Sequence, residues 1–373
     1  MRTVSLISDS ATPCGVETFQ RLVASGLAAR APGDHATCAI VGQPGETAVL
    51  DRVLDGNDTL IVGLPVVAWK RCMFAPLRAM MLARRRGKAV VLVLHEWADL
   101  DWKRRTLYRA YVPLATRMLF SSRLVRQQFE TDRVAIFATH DRCLVPIPPT
   151  LARPDVLPDT TLAADLRRIK ASGSLLVAQF GAIYPKKQPG ALLDIVAELK
   201  RQGHAAHAVF VGSFIGNATV DVEATFRAQV RDLSLQNDVT VTGYIGPAGD
   251  VFAALEACDV LVYRFEEGLT ARRSSVLAAL QSGRPVLVNR PQDEVEFAHH
   301  PTFQTALADG ALHLVSQGSD TAEYVEKVLS LAASRQRPPS VNFNRAWGDA
   351  IAAILRSAPP ARQATPQTAP VVS

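Results

Sequence analysis

Short unbroken apolar blocks alternate along the chain with longer stretches in which apolar residues recur every three or four positions. The first kind suits strands buried on both faces and the second amphipathic helices, so the alternation predicts strand–loop–helix units and parallel sheets. Strands are expected over Val4 to Ser8, Thr37 to Gly42, Thr59 to Val62, Ala89 to Leu94, Arg117 to Phe120 and about Arg142 to Val145. Asp9 to Gly15 reads as a turn. Helices are expected over about Val16 to Ala31, Glu46 to Asp55, most of Val66 to Arg86, a segment holding Leu107, Tyr111 and Leu114, and Ser122 to Phe129. Pro146, Pro148 and Pro149 then break the pattern, and residues 151–173 read as a linker with a short helix.

A second series follows, with strands Leu175 to Phe180, Ala208 to Val211, Val239 to Thr242, Val260 to Val262 and Ala311 to Val315. Helices separate them over Pro189 to Gln202, about Val222 to Leu233 and Ala248 to Ala257, and a further one spans Thr321 to Ser334. The expected architecture is α/β twice over: two Rossmann-like, doubly wound parallel-sheet domains, 1–150 and 174–340, facing one another across a cleft. A last amphipathic helix, Trp347 to Leu355 within 341–356, can return to the first domain. The Ala, Pro, Gln and Thr content after Ser357 predicts a disordered tail over 357–373.

The stretch Asp259 to Asn289 concentrates the chemistry. A buried strand leads through Glu266-Glu267-Gly268 into a helix expected to begin near Arg272, with Val276, Leu277, Ala279 and Leu280 at helical spacing and Gly283 and Pro285 ending it. Arg272, Arg273, Ser274 and Ser275 in the first turn, with its free N–H groups, suit a phosphate or diphosphate. The alternative is that the two arginines are solvated or pair with Glu266 and Glu267. Cations are unwelcome at the positive end of a helix dipole, so two adjacent arginines there point to an anion that offsets the cost.

Composition removes several classes. No apolar run approaches the roughly 18 to 20 residues of a membrane-spanning helix, and no signal peptide precedes the first strand, so a cytoplasmic protein is expected. The five cysteines are odd in number and lack any C-x-x-C pair, which argues against a disulfide framework or structural zinc. Gly15 alone is far from G-x-G-x-x-G, so NAD binding has little support. The net charge of +6 is uneven: Lys70 to Lys88 holds Lys70, Arg71, Arg78, Arg84, Arg85, Arg86 and Lys88 with no acidic residue. With Met73, Phe74, Leu77, Met80, Met81 and Leu82 between them, a helix here can lie on an anionic membrane face or be a solvated helix packed on its own sheet. Nucleic acid is disfavoured because no aromatic stacking platform accompanies the charge. His95 stands at the carboxyl end of Ala89 to Leu94, where parallel sheets present side chains to ligands.

These motifs together resemble the GT-B glycosyltransferases, in particular the retaining nucleotide-sugar enzymes of family 4. Gly181 and Lys187 match the Gly-Arg-x-x-x-x-Lys loop, Glu267-Gly268 looks like the start of Glu-Gly-x-Gly, and Gly283-Arg284-Pro285-Val286 matches Gly-x-Pro-Val. Gly243-Tyr244 falls where the family turns beside the nucleotide base. His95 is similar to the first-domain histidine near the donor sugar, and Gly15-Val16-Glu17 to the loop facing it. The resemblance implies transfer of a sugar from a nucleotide diphosphate donor to a hydroxyl of a lipid-linked or polysaccharide acceptor, with no metal or other cofactor. His95, Glu267 and Glu17 would be the catalytic residues. Gly15, Gly181, Lys187, Gly243, Tyr244, Gly268, Thr270, Arg272, Arg273 and Ser274 would bind the donor. Two positions depart from the pattern: Ala182 replaces the phosphate-binding Arg and Ala278 the second Glu of E-x7-E, about three residues later than usual. Arg272 or Arg273 can supply the guanidinium missing at Ala182. A catalytically silent nucleotide-sugar-binding or assembly subunit is the alternative these departures leave open.

Overall fold

The computed structural model describes residues 2–8, 10–11, 14–138, 141–215, 221–333 and 341–356. The expected tail over 357–373, Ser334, and Asp9, Thr12 and Pro13 of the expected turn lie outside these residues. Two compact units divide the described chain, one of residues 2–120, 125–144 and 351–356, the other of residues 121–124 and 145–350.

The first unit runs β1 (Thr3–Ile7), α1 (Gly15–Arg30), β2 (His35–Ala39), α2 (Glu46–Asp55), β3 (Thr59–Leu64), α3 (Phe74–Arg85), β4 (Ala89–Leu94), α4 (Trp102–Tyr111), β5 (Arg117–Phe120), α5 (Arg123–Glu130), whose first two residues group with the second unit, and β6 (Arg142–Leu144). Its sheet is parallel throughout, in the order β2-β1-β3-β4-β5-β6. β4 reads Ala-Val-Val-Leu-Val-Leu because helices cover both its faces, and Val90 through Leu94 are all buried. The stretch expected to be mostly helical from Val66 divides into a 3-10 turn, Ala68–Arg71, and α3. Trp69 causes the break: its indole N–H donates to the Ile40 carbonyl at 2.8 Å and anchors the turn in the core.

The second unit runs α6 (Thr161–Ala171), β7 (Leu175–Phe180), α7 (Pro189–Arg201), β8 (Ala206–Val211), α8 (Val222–Asp232), β9 (Val239–Val241), α9 (Ala248–Ala257), β10 (Val260–Tyr263), α10 (Ser274–Leu280), β11 (Val286–Asn289), α11 (Pro301–Ala308), β12 (Leu312–Val315), α12 (Thr321–Ala332) and α13 (Phe343–Arg356), whose last residues, from Ile351, group with the first unit. The strand order is β12-β11-β10-β7-β8-β9, again parallel. Alternate residues of the central strands feed two cores, with Leu261 and Tyr263 on one face and Val260 and Val262 on the other. α6, in the stretch read as a linker, is capped by the Thr160 hydroxyl on the Ala163 amide. α11 is a helix the apolar pattern does not announce.

The chain winds outward from β7 through β8 to β9, crosses back by α9, and winds the other way from β10. The strand order therefore reverses between β7 and β10, and such switch points leave a crevice at the carboxyl ends of the strands. Glycines let loops meet there. A Cβ on Gly212, just past β8, would stand 2.2 Å from the Gly181 carbonyl oxygen. Gly212→Ala should lower unfolding stability by about 1 to 3 kcal/mol through this backbone clash, read as a lower urea midpoint. An unchanged midpoint would show that the loops yield without cost.

Candidate functional site

The loop after β7 turns sharply at Gly181 (φ +102°) and runs through a short 3-10 turn, Pro185–Lys187, to Gln188 in the left-handed region before α7. This path folds Lys187 back beneath the strand end. Its Nζ donates to the Phe180 carbonyl at 3.1 Å and lies 5.7 and 5.9 Å from the ring centres of Tyr184 and Tyr263. Only 4% of the residue is exposed. Burial, and then the charge of Arg273, pull its pKa down from 10.5 to about 7. A Cβ on Gly181 would sit 2.6 Å from this ammonium, so the glycine makes room for the cation.

The loop after β10 supplies the facing groups. Asn289, at the end of β11, accepts the Phe265 amide at 2.9 Å and donates to the Phe265 carbonyl at 2.7 Å. Gly268 (φ +77°) then turns the chain where any Cβ would meet the Arg290 carbonyl at 2.3 Å. Oε1 of Glu267 accepts from Arg272 at 3.1 Å and from Arg273. Arg273 also donates to the Tyr184 hydroxyl at 2.7 Å and stacks over Phe265 with its guanidinium carbon 4.4 Å from the ring centre. The ion pairing envisaged from sequence therefore exists with Glu267, but as a largely buried cluster. Counting Lys187, Arg272 and Arg273 against Glu267, side-chain cations outnumber the anion. Thr270 is buried beside them, its hydroxyl without a hydrogen-bond partner.

One expectation is corrected. The helix starts at Ser274, with Arg272 and Arg273 ahead of it, and several of the amides around its start are engaged: Arg273 N–H bonds the Thr270 carbonyl, Ser274 N–H the Arg272 carbonyl and Ala271 N–H the Glu296 carboxyl. Gly243 (φ +71°) ends β9 and leaves Tyr244 84% exposed. Ala278 is fully buried in α10. Asn289 and Glu296 were not singled out from sequence; an Asn closing an apolar strand was the available signal for the first.

In the first unit, Gly15 opens α1, and Glu17 in its first turn is 1% exposed. The Ser8 hydroxyl donates to Glu17 Oε2, while Arg21 donates to Oε1 at 2.9 Å and to the carbonyls of Ser8 and Ser10 at 3.1 and 2.8 Å. Both carboxylate oxygens thus brace the turn after β1. His95 follows β4, with its amide on the Leu64 carbonyl and its ring edge-on to Phe19 at 4.9 Å. All five cysteines are free.

Parallel six-stranded sheets of this kind, with a switch-point site, define the GT-B glycosyltransferase fold. The Anabaena HepE protein in complex with UDP superposes with a TM-score of 0.61 at 16% identity, over 96% of this chain and 95% of that one. Sucrose-phosphate synthase of Thermosynechococcus elongatus gives 0.60 at 15%, over 95% and 97%. Residues 175–334, which lie within the second unit, match the family model Glycosyl transferases group 1. The D-inositol 3-phosphate glycosyltransferase of Nocardia farcinica is 29% identical over 204 residues, which is 54% of this chain and 42% of that protein.

Lys187 gives the site a pH signature. From about pH 7 to its ordinary 10.5, the unfolded chain holds a proton on this amine that the folded chain lacks, so stability rises with pH across that window. Below pH 7 the full cost of the buried charge is present. Chemical denaturation from pH 7 to 10 should show wild type gaining stability relative to Lys187→Met; parallel curves would contradict the assignment.

Proposed function

We propose that the chain is a glycosyltransferase that moves a sugar from a nucleoside diphosphate sugar to an acceptor hydroxyl. The observation that carries this reading is the gathering of side-chain cations, buried Lys187 with the largely covered Arg272 and Arg273, at the β7/β10 switch point of the region that matches the group 1 model. As the anomeric bond breaks, negative charge grows on the leaving diphosphate. Preorganised cations out of water stabilise that charge without reorganising. Arg272 and Arg273 stand in for the guanidinium that the family motif would have at Ala182, and the cationic side chains take the part of a divalent ion. The UDP bound to HepE supports a uridine nucleotide as donor, with Gly243 and Tyr244 beside the base. Gly181 leaves room for the Lys187 side chain and Gly268 turns the arginine loop, while Thr270 and Ser274 offer hydroxyls to the diphosphate.

The retaining outcome and the family 4 subtype are part of the same proposal and rest on the sequence motifs. Glu267 in the second unit and His95 in the first each keep the catalytic role that the motifs imply. Glu17, whose oxygens are committed to Ser8 and Arg21, serves by tying the start of α1 to the end of β1. The matched domain and the activity named for the Nocardia relative favour transfer over a silent binding subunit.

Among the described residues no helix is long and apolar enough to cross a membrane. α3 nevertheless presents Phe74 (58% exposed), Arg78, Met81 and Arg85 along one open stripe, and Arg71 lies just ahead of it. Arg86 is spent on Asp51 and Asp55. This stripe supports a peripheral seat on an anionic inner membrane face and a lipid-linked or polysaccharide acceptor.

Two measurements test the proposal. Lys187→Ala, and separately Arg272→Ala/Arg273→Ala, should each lower donor hydrolysis or transfer by about 100-fold or more; near wild-type turnover in both would sink the electrostatic assignment. Wild type should sediment with vesicles containing phosphatidylglycerol and not with neutral ones, and an Arg71→Glu/Arg78→Glu/Arg85→Glu variant should lose that difference. Equal sedimentation with both vesicle types would count against the membrane seat.

A further inference from the structure

The segment from Glu267 to Arg273 carries both guanidiniums yet is neither strand nor helix, so contacts from elsewhere must fix its path. Asn289 grips Phe265 just ahead of it and takes the Leu269 amide on its own carbonyl at 3.1 Å. Immediately before the two arginines, the Ala271 amide donates to Oε1 of Glu296 at 2.8 Å. Glu296 lies in the loop between β11 and α11 and is 1% exposed. It belongs to none of the motifs that carry the family resemblance.

A carboxyl group is a costly way to satisfy backbone amides in an apolar interior. Burial raises the Glu296 pKa from 4.5 to about 7, against the opposing pull of the Ala271 and Leu124 amides. Asp293 pushes in the same direction as burial, and Arg123, which pairs with Asp293 at 2.7 Å, pulls the other way. His299 also stands beside this group, held neutral by its own burial. Residues that break the burial rule are retained where the geometry they fix matters.

We propose that Glu296 is a positioning residue for the diphosphate-binding guanidiniums: its carboxyl oxygen fixes the Ala271 amide and with it the backbone that carries Arg272 and Arg273. The inference rests on the donor-site reading above. Asn289 holds the start of the loop whether or not Glu296 is present, so within this loop loss of Glu296 frees the arginine end and not the start.

The test compares UDP with UMP, because the β-phosphate gives the guanidiniums their extra ligand. Calorimetry on wild type, Glu296→Met and Glu296→Gln supplies the UDP:UMP affinity ratio, with Arg272→Ala/Arg273→Ala alongside. Met fills the volume without accepting a hydrogen bond, and Gln keeps an accepting oxygen. Glu296→Met should reduce the ratio about tenfold, and its melting transition, read alongside, should remain a single cooperative one, somewhat lowered because the amides it satisfied lose their acceptor. Glu296→Gln should stay within about twofold of wild type. An unchanged ratio in Glu296→Met, or an equal loss in Glu296→Gln, would overturn the positioning role. An unchanged ratio in the double-arginine variant, or a wild type that binds none of UDP, GDP and ADP, would overturn the donor-site reading itself.

Discussion

An ammonium held almost entirely out of water beside a guanidinium is the feature on which the second unit's chemistry depends. Among the described residues no carboxylate pairs with Lys187; its Nζ donates to the Phe180 carbonyl, and the rings of Tyr184 and Tyr263 lie near it. Desolvation and the like charge of Arg273 both disfavour its charged form. Glu267 is already shared by Arg272 and Arg273 and offsets only part of the positive charge. An arrangement that is unfavourable when empty becomes favourable when a dianion enters, because the low dielectric that penalises the bare cation strengthens its attraction to the ligand.

Much of the local backbone follows from keeping those cations there. Gly181 leaves the space in which the Lys187 side chain folds back, Gly212 lets the β8 end approach Gly181, and Gly268 turns the arginine loop against the Arg290 carbonyl. Asn289 and Glu296 replace the hydrogen bonds that secondary structure would otherwise supply. The reversal of strand order between β7 and β10 places both loops at the carboxyl ends of the two central strands, so Tyr184 and Arg273, 89 positions apart, become neighbours through topology.

The double α/β architecture was legible because parallel strands covered on both faces appear as unbroken apolar runs; β4 and β7 fall on their expected residues. α11 was missed because Phe303 and Ala306 are its only buried residues, too few to make a periodic stripe behind His299, His300 and Pro301. The later start of α10 reflects tertiary contacts: Arg273 is drawn to Tyr184, Phe265 and Glu267, contacts that local propensity does not encode. Glu296 sits in an Asp-Glu-Val-Glu run that reads as a solvated loop, and only the fold shows that one of its three acids is buried.

The central claim is that Lys187 is a buried amine awaiting a diphosphate. Calorimetric binding of UDP at pH 8 in buffers of differing ionisation enthalpy tests it most directly, because an anion beside a largely neutral amine draws a proton onto it. The account predicts net proton uptake by wild type, approaching one proton per UDP bound, and its loss in Lys187→Met. Binding without proton uptake, or uptake that survives in Lys187→Met, would contradict it.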